Sequence, residues 1–398
     1  MHILALEAYD GGSHAHFLDG LIAHSNHRFT RMGLPARKWK WRMRGSALYF
    51  AQELAELSDP VDLIFTSDMT AGADLRALLP NSLKDLPMVF YFHENQLTYP
   101  IPNESDRDYQ YGFSNITSCL AADVVWFNSK YHLASFLEAV AALLKKMPDY
   151  VPRDVAEKIR NRASVIPLGL SPDLFGYPPP TADNHHPSEF NCPSTAVTLP
   201  PAVANTPPAV LWNHRWEYDK NPDDFFEMLM SLDRAGIDFR LIVAGENFRN
   251  SPPIFAAAKT VLADHIDHFG FVPSRDDYLA LLARADIVVS TAVHEFFGLS
   301  VLEAITARCY PLLPNRLSYP ELVPKSLHAA YLYRSQTEFR EKLIGLLVEG
   351  VPPVDPLLCE KVRGLSWPRV INIYDQAFEN ILNEKRKVIS PEAKKPGK

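Results

Sequence analysis

The fold is decided by the run Ala285-Asp286-Ile287-Val288-Val289-Ser290 and the segment His294-Glu295-Phe296-Phe297-Gly298-Leu299-Ser300-Val301-Leu302-Glu303 that follows it. The first run predicts a buried strand, and a helix is predicted through Ala304 to Ala307. A glycine between them permits close backbone approach, and a helix start offers unpaired N–H groups to a diphosphate. Glu295 and Glu303 can accept hydrogen bonds from sugar and ribose hydroxyls. The alternative is one solvated glutamate and one ordinary helical glutamate.

The composition is that of a soluble globular protein large enough for two domains. Of 398 residues, 47% are hydrophobic and 22% are charged, and the net charge is −7, which gives no global sign of nucleic-acid binding. No run of apolar residues is long enough for a membrane span, and residues 1–7 predict a strand rather than a signal peptide. The widely spaced cysteines favour a reducing, cytoplasmic location and disfavour structural zinc. They are Cys119, Cys192, Cys309 and Cys359.

Short apolar runs alternate with helical patterns in the first half of the chain. Five of them predict strands, at residues 3–7, 62–66, 88–93, 123–128 and 163–167. Nearly continuous apolar strands separated by helices predict a parallel sheet that is covered on both faces. We therefore expect an N-terminal Rossmann-like domain over residues 1–170.

A proline-rich stretch interrupts this rhythm. Ten of the 33 prolines lie in residues 172–208, and we expect a linker over 171–208. Further strands are predicted at 209–212, 239–245, 266–271, 287–290 and 310–313, in a second Rossmann-like domain over 209–365. A helix over 366–385 is expected to pack back toward the first domain, before a tail at 386–398. The predicted fold class is α/β, with two doubly wound parallel-sheet domains facing across a cleft that receives the ligands.

Polar residues follow two predicted strands of the first domain. Asp10-Gly11-Gly12-Ser13-His14 comes after the first strand, and His93-Glu94-Asn95-Gln96 comes after the third. Paired glycines admit a ligand, and a histidine can donate to a hydroxyl. An ordinary turn and a core histidine are the alternatives. Four consecutive polar side chains are hard to bury without partners, which favours the cleft.

Two cations stand in the loop after the first strand of the second domain. Arg215 and Lys220 lie within residues 213–222. Fixed cations at this place could stabilise the negative charge of a departing nucleoside diphosphate. The alternative is a solvated basic loop, which the flanking Trp212 and Trp216 disfavour.

A basic stretch stands out in this acidic chain. No acidic residue occurs between Asp19 and Glu53, and two tryptophans interleave with the cations of that interval. The cations are Arg28, Arg31, Arg37, Lys38, Lys40, Arg42 and Arg44, and the tryptophans are Trp39 and Trp41. Cations can meet phosphates and indoles can stack on bases, so the stretch predicts a polyanionic partner. A solvated charged face is the alternative.

Two other motifs point away from metal and dinucleotide chemistry. Asp106-Arg107-Asp108 matches the Asp-x-Asp of metal-dependent nucleotide-sugar enzymes, but those have a single-domain architecture, so no metal is expected. The Gly-x-Gly-x-x-Gly pattern of dinucleotide dehydrogenases does not occur.

The second half of the chain resembles retaining GT-B glycosyltransferases through Arg215, Lys220 and the Glu295–Glu303 pair. The first half narrows the resemblance to the tRNA-queuosine α-mannosyltransferase family. Four motifs carry it, at residues 7–14, 34–42, 92–100 and 294–298, and it extends over residues 1 to about 380. Asp10 stands where that family leads us to expect Phe or Tyr.

The resemblance implies that mannose passes from GDP-mannose, with retention, to the cyclopentene diol of queuosine in a tRNA anticodon of the tRNA-Asp type. No cofactor or metal is implied. It implies catalytic roles for His93, Arg215, Lys220 and Glu295. Donor-binding residues are expected at Gly12, Phe271, Val272, Phe297, Gly298, Leu299, Ser300 and Glu303. Acceptor-binding or tRNA-binding residues are expected at His14, Arg37, Lys38, Trp39, Lys40, Trp41, Arg42, Arg44, Glu94 and Asn95.

Two alternatives stay open at the level of sequence. Another GT-B enzyme could use a different sugar nucleotide or a non-tRNA acceptor, although a lipid enzyme would more typically show an amphipathic Lys/Leu helix. A non-catalytic tRNA-binding or nucleotide-binding module is the second alternative, and the retained Glu and Arg/Lys pairs disfavour it. No motif identifies the sugar, the base or the oligomeric state.

Overall fold

The computed structural model describes residues 1–101, 107–175, 206–246 and 251–389, with side chains described as far as residue 387. The chain divides into two compact units: unit 1 is Met1–Ser171 with Gly364–Lys398, and unit 2 is Pro172–Arg363. Most of the predicted linker, together with Cys192 and Asp106, lies outside the described residues. Each unit contains one six-stranded sheet, which confirms the α/β class.

The sheet of unit 1 is parallel throughout, in the order β2-β1-β3-β4-β5-β6. Its central strands β3 and β4 are entirely buried, as their apolar sequences predict. The strands are β1 (His2–Asp10), β2 (Arg28–Pro35), β3 (Leu63–Ser67), β4 (Met88–Phe92), β5 (Val124–Phe127) and β6 (Ala163–Val165). The connecting helices are α1 (Gly12–His24), α2 (Trp39–Leu54), α3 (Gly72–Leu78), α4 (Tyr109–Ala121), α5 (Lys130–Leu144) and α6 (Val155–Arg160).

Unit 2 repeats this architecture, in the order β12-β11-β10-β7-β8-β9, again with parallel neighbours. The strands are β7 (Ala209–Trp212), β8 (Arg240–Ala244), β9 (Ile266–Gly270), β10 (Ile287–Val289), β11 (Tyr310–Pro314) and β12 (Leu332–Tyr333). The helices are α7 (Pro222–Asp233), α8 (Ile254–Val261), α9 (Arg275–Ala283), α10 (Leu299–Thr306), α11 (Tyr319–Leu322), α12 (His328–Tyr331), α13 (Gln336–Glu349) and α14 (Pro356–Arg363). Short 3₁₀ turns lie at Pro172–Phe175, Tyr218–Lys220, Ala263–His265 and Lys325–Leu327.

The C-terminal helix α15 (Trp367–Ile389) belongs to unit 1. The buried ring of Trp367 packs against Phe17 at 5.7 Å, and the Tyr374 hydroxyl donates to the carbonyl of Pro167 at 2.9 Å. The carboxylate of Asp375 accepts from the backbone N–H of Asn26 at 3.0 Å. The helix continues past residue 385, so its predicted end at 385 is too early, and residues 390–398 lie outside the described chain. None of the described helices is long and apolar enough to cross a membrane.

Candidate active site

The turn between β10 and α10 holds Glu295 in place through its own backbone. One carboxylate oxygen of Glu295 accepts from the backbone N–H of Phe297 at 3.2 Å and from that of Gly298 at 2.9 Å. Gly298 caps α10 in the left-handed region, with φ of 87°, and an added Cβ would crowd Tyr319 and Leu322. The glycine is therefore required by the turn and by close packing. Glu295 accepts from the N–H groups of residues 297 and 298. The backbone N–H groups at the start of α10 that can bind a ligand therefore begin at Leu299.

Lys220 is buried against Glu295 from the neighbouring strand end. Strands β7 and β10 are adjacent, and the loop after β7 brings the Lys220 ammonium to 3.4 Å from Glu295. The same ammonium lies 3.1 Å from the fully buried carboxylate of Asp219 and donates to the carbonyl of His294 at 2.8 Å. The structure thus brings together two of the predicted catalytic residues and adds Asp219.

The charges of this cluster stabilise one another. Burial alone would raise the pKa of Glu295, but Lys220, His214 and the two backbone N–H groups lower it to about 2. Burial would lower the pKa of Lys220, yet Glu295 and Asp219 raise it above its ordinary value. The lysine therefore stays charged although it is buried.

Arg215 lies in the same loop but is more exposed. Its side chain is 45% exposed and lies 3.2 Å from the carboxylate of Glu217. The charge of Arg215 lowers the pKa of Asp219. It also acts to lower the pKa of Lys220, so the two predicted cations are close enough to interact. Both cations are paired with carboxylates in this structure, Lys220 with Asp219 and Glu295 and Arg215 with Glu217.

Glu303 lies on α10 within a hydrogen-bonded group that the sequence did not predict. Arg275 donates to one of its carboxylate oxygens at 2.9 Å, and the Tyr278 hydroxyl donates to the other at 3.0 Å. Asn213 in turn donates to the Tyr278 hydroxyl at 3.0 Å. Arg275 and Tyr278 are three residues apart on α9, which places them on one face of that helix. Nothing in their sequence links them to Glu303.

The other predicted donor-binding residues surround these groups within unit 2. The Ser300 hydroxyl lies 3.2 Å from Nδ1 of His214, and its backbone carbonyl accepts from Asn213 at 2.8 Å. Phe271 follows β9 with 59% of its surface exposed, and Val272 is half-buried. The side chain of Phe297 is buried, so only its backbone can face a ligand.

In unit 1, His93 follows β4 and packs against three neighbouring rings. Its ring centroid lies 4.1 Å from that of His14 and 4.9 Å from those of Phe17 and Tyr91. Its backbone N–H donates to the buried carboxylate of Asp68 at 2.8 Å. The Nε2 atom is buried and makes no hydrogen bond within the described part of the chain. His93 therefore has a fixed ring with one buried nitrogen that lacks a hydrogen-bond partner within the described residues.

His14 forms a buried ion pair with Glu7. Its Nδ1 lies 3.3 Å from the Glu7 carboxylate, which also accepts from the Ser67 hydroxyl at 2.9 Å. Burial disfavours the charged imidazole, but Glu7 raises the pKa of His14 to about 9. Burial and the charge of His14 together lower the pKa of His93 well below its ordinary value. At neutral pH, His14 is charged and His93 is neutral.

Glu7, His14 and His93 also offer ligand atoms that lie within 4.8 Å of one another, so within the described residues this trio could hold a metal ion. The Glu7–His14 ion pair accounts for two of the three side chains without a metal. The Asp-x-Asp motif does not form a comparable group: Asp106 lies outside the described residues, and Asp108 caps α4 by accepting from the N–H of Gln110 at 3.0 Å.

One of the predicted residues in unit 1 is placed differently from expectation. Asn95 is fully buried, and its side-chain oxygen accepts from the backbone N–H groups of Leu97 and Thr98, each at 3.0 Å. It shapes the loop, so an acceptor contact of its side chain is not supported. Gly12 has φ of 53° and open space beside it, which suits a ligand, and Glu94 remains half-exposed beside Gln96.

The basic stretch divides into a paired part and an unpaired part. Arg31 forms ion pairs with Asp10 and Asp19, and Arg28 lies 3.5 Å from Asp59. The remaining five cations form no ion pair with the described residues, and four of them are exposed, Arg42 being half-buried. They are Arg37, Lys38, Lys40, Arg42 and Arg44. The sequence interval without acidic residues therefore overestimated the extent of the unpaired basic patch, which begins at Arg37.

The two tryptophans of the stretch differ in exposure. Trp41 is 62% exposed on α2 and lies over Gly45, whereas Trp39 is half-buried and packs on Tyr111 at 5.1 Å. Arg44 lies over the same Tyr111 ring and donates to Gln110. Trp41 is therefore the indole available for stacking, and Trp39 is an anchor of α2.

Two doubly wound sheets, with paired carboxylates and cations at the strand ends of the second, define a glycosyltransferase of the GT-B class. Structures of that class share the fold. Sucrose-phosphate synthase from Thermosynechococcus elongatus matches with a TM-score of 0.68 at 14% identity, over 96% of this chain and 100% of that one. A glycosyltransferase from Rickettsia africae matches with a TM-score of 0.62 at 16% identity, over 96% and 98%.

Sequence comparison identifies the family. Residues 2–170 match the tRNA-queuosine alpha-mannosyltransferase N-terminal model, and residues 200–348 match glycosyl transferases group 1. The Drosophila melanogaster tRNA-queuosine alpha-mannosyltransferase is 37% identical over 86% of each chain. A GDP-mannose-dependent alpha-(1-6)-phosphatidylinositol dimannoside mannosyltransferase from Mycobacterium tuberculosis is 34% identical over 30% of each chain. This chain belongs to the tRNA-queuosine alpha-mannosyltransferase family, which confirms the resemblance noted from its motifs.

Proposed function

We propose that this protein transfers mannose from GDP-mannose, with retention, to the cyclopentene diol of queuosine in a tRNA anticodon. The observation that carries the proposal is the 37% identity to the Drosophila tRNA-queuosine alpha-mannosyltransferase along 86% of both chains. The name of the mycobacterial relative, which is GDP-mannose-dependent, supports the choice of donor. The proposed place of action is the cytoplasm.

The donor roles follow from the chemistry of unit 2. Lys220 and Arg215 hold the diphosphate, because two cations in a restricted loop stabilise the charge that develops on a leaving phosphate. Glu295 accepts from hydroxyls of the mannose, and its low pKa keeps it ionised for that purpose. Glu303 accepts from the ribose hydroxyls, since a carboxylate bonded to Arg275 and Tyr278 retains further lone pairs. Phe271 and Val272 border the base.

The acceptor roles are assigned to unit 1. The exposed cations from Arg37 to Arg44 meet tRNA phosphates, and the exposed indole of Trp41 stacks on a base. Neutral His93, whose Nε2 is buried and lacks a partner within the described residues, is assigned to a sugar or acceptor hydroxyl. Gly12 admits the ligand beside the start of α1.

Retention follows from attack on the same face that the diphosphate leaves. The acceptor hydroxyl forms a new bond to the mannose anomeric carbon, the bond from that carbon to the phosphate oxygen breaks, and the hydroxyl proton passes to the leaving phosphate. Positioning and stabilisation of charge carry the reaction, so neither an enzymic nucleophile nor a metal is required.

The test is incubation with queuosine-containing tRNA and a panel of sugar nucleotides, followed by mass spectrometry of the nucleosides. We expect a gain of one hexose with GDP-mannose alone, and no gain with tRNA that carries guanosine in place of queuosine. Transfer from a different sugar nucleotide would refute the donor, and equal labelling of both tRNAs would refute the acceptor.

A further inference from the structure

Arg275 is fixed beside the carboxylate that we assign to the ribose. It is the first residue of α9 and follows Phe271, the proposed border of the base, by four positions. Its Nε donates to Asp173 at 3.1 Å and its Nη1 donates to Glu303 at 2.9 Å. The guanidinium also lies over the Tyr278 ring at 5.6 Å. Three partners therefore define its position.

The guanidinium still has hydrogen-bond donors to offer. Arginine carries five N–H hydrogens, and the two bonds to Asp173 and Glu303 use one on Nε and one on Nη1. Nη2 forms no hydrogen bond within the described part of the chain, and the side chain is 38% exposed. A planar donor edge that is held in place by two carboxylates, on a partly exposed side chain, suits recognition of a planar group with two adjacent acceptors.

Guanine is a base of that kind. It presents O6 and N7 as adjacent acceptors, which arginine contacts with two hydrogen bonds, whereas adenine has an amino donor in place of O6. Uracil has no second ring and no N7. We propose that Arg275 selects the base of the donor by donating to O6 and N7 of guanine, an inference that rests on the proposed function because it places the ribose at Glu303. Asp173 is then a positioning residue, since it holds Nε and turns the Nη edge toward the base.

The simpler role of Arg275 would be to orient Glu303. That role and base selection predict different results, because loss of a properly held Glu303 weakens every ribonucleotide by the same factor. Loss of a contact to the base changes the ratio between guanine and adenine nucleotides. Base-specific contacts by arginine typically discriminate by about 5- to 150-fold.

Tyr278 supplies the matched control. Tyr278→Phe removes a hydrogen bond to the same carboxylate but leaves the guanidinium in place. Dissociation constants for GDP, inosine diphosphate, ADP and UDP are measured by calorimetry on the full chain, without tRNA and without sugar. Inosine diphosphate keeps O6 and N7 but lacks the 2-amino group of guanine.

In the wild type, we expect GDP and inosine diphosphate to bind at least about 5-fold more tightly than ADP or UDP. Arg275→Met should bring all four affinities together. Arg275→Lys should restore part of the preference, because lysine offers one point donor instead of a planar edge. Tyr278→Phe should weaken all four nucleotides equally and keep their order. Thermal unfolding of each variant identifies any that does not fold, and Arg275→Lys carries the test if Arg275→Met is unfolded.

A uniform loss in Arg275→Met, parallel to that in Tyr278→Phe, would overturn the proposal, and so would a wild type that does not prefer guanine nucleotides. The proposed function fails separately. A chain that prefers GDP through Arg275 but adds no hexose to queuosine-containing tRNA would refute the transfer reaction and leave the base selection intact.

Discussion

Replacement of Lys220 by Met should damage both the stability and the activity of the protein. Lys220 is the counter-charge of two carboxylates, the fully buried Asp219 at 3.1 Å and the largely buried Glu295 at 3.4 Å. Methionine matches much of its length but carries no charge, so the variant would leave two buried anions next to one another. Removal of one partner of a buried ion pair typically costs about 3–5 kcal/mol.

The pKa of Glu295 gives an independent magnitude. A fall from the ordinary 4.5 to about 2 corresponds to about 3 kcal/mol of stabilisation at neutral pH. Lys220 is the largest of the influences that lower this pKa, so most of that stabilisation should disappear in the variant. The two figures agree to within the precision of either.

Arg215→Met is the matched control for this experiment. Arg215 is 45% exposed and paired with Glu217, and surface pairs of this kind contribute about 0–1 kcal/mol. Urea unfolding should therefore show a large loss of stability in Lys220→Met and almost none in Arg215→Met. Turnover should fall by about 10²-fold or more in both, because each cation is proposed to stabilise the leaving diphosphate.

The pH dependence has a definite sign. The folded-state pKa of Glu295 is lowered, so its contribution to stability is present above pH 4.5 and is lost as pH falls toward 2. In Lys220→Met, burial instead raises the pKa of the unpaired carboxyls, and the penalty disappears when they are protonated. The difference in stability between wild type and variant should therefore shrink between pH 7 and pH 4. A difference that stays constant in acid, or a Lys220→Met variant as stable as the wild type, would refute the reasoning.

Three further predictions concern other parts of the molecule. Joint replacement of Arg37, Lys38 and Arg42 by Gln should weaken tRNA binding and reduce the slope of log binding constant against log salt concentration by about 2–3. The control is Arg28→Gln, whose cation is paired with Asp59, and it should change the slope by less than about 1. Equal slopes in all proteins would contradict the assignment. Gly298→Ala should lower the free energy of unfolding in urea by about 1–3 kcal/mol, because Gly298 has a positive φ. The control Gly345→Ala lies on α13, where an added Cβ meets no atom within 4 Å, and it should not lower that free energy. The raised pKa of His14 makes its ion pair with Glu7 stabilising below pH 6.5 and ineffective above pH 9, so the wild type should lose thermal stability over that interval and Glu7→Gln should not. The same alkaline loss in both proteins would exclude the pair as its cause.

The strands that could be predicted are those whose apolar residues are buried on both faces. All ten predicted strands occur, with bounds shifted by a few residues. β2 escaped prediction because it is an edge strand with mostly exposed or half-buried residues and two arginines, and β12 is only two residues long. The position of a strand in the sheet and its pairing partners depend on tertiary structure, which a local sequence pattern does not determine.

The site was predictable to the extent that it lies at strand ends. Lys220 and Glu295 could be expected to approach one another because each follows a strand of the same sheet, and β7 and β10 prove to be neighbours. Asp219 and Arg275 were not predicted, because nothing in their sequence says which way their side chains point. The basic stretch shows the opposite error: acids distant in sequence, such as Asp59, neutralise part of it in space.

The packing of Lys220 has a consequence for the order of events in donor binding. An ammonium group has three N–H donors, and within the described residues three acceptors surround it: the His294 carbonyl, Asp219 and Glu295. In the proposed reaction, a diphosphate oxygen that approaches Lys220 competes with these acceptors for the ammonium group. Asp219 is fully buried and the His294 carbonyl is part of the backbone. The Glu295 oxygen that faces Lys220 is not the one held by the N–H groups of residues 297 and 298, so it is the acceptor most readily displaced. In the proposed reaction the Glu295 carboxylate then turns to the mannose hydroxyls while the phosphate takes its place on Lys220. We therefore propose that the glutamate contact to the sugar and the lysine contact to the phosphate are two results of one exchange, in which the lysine remains neutralised.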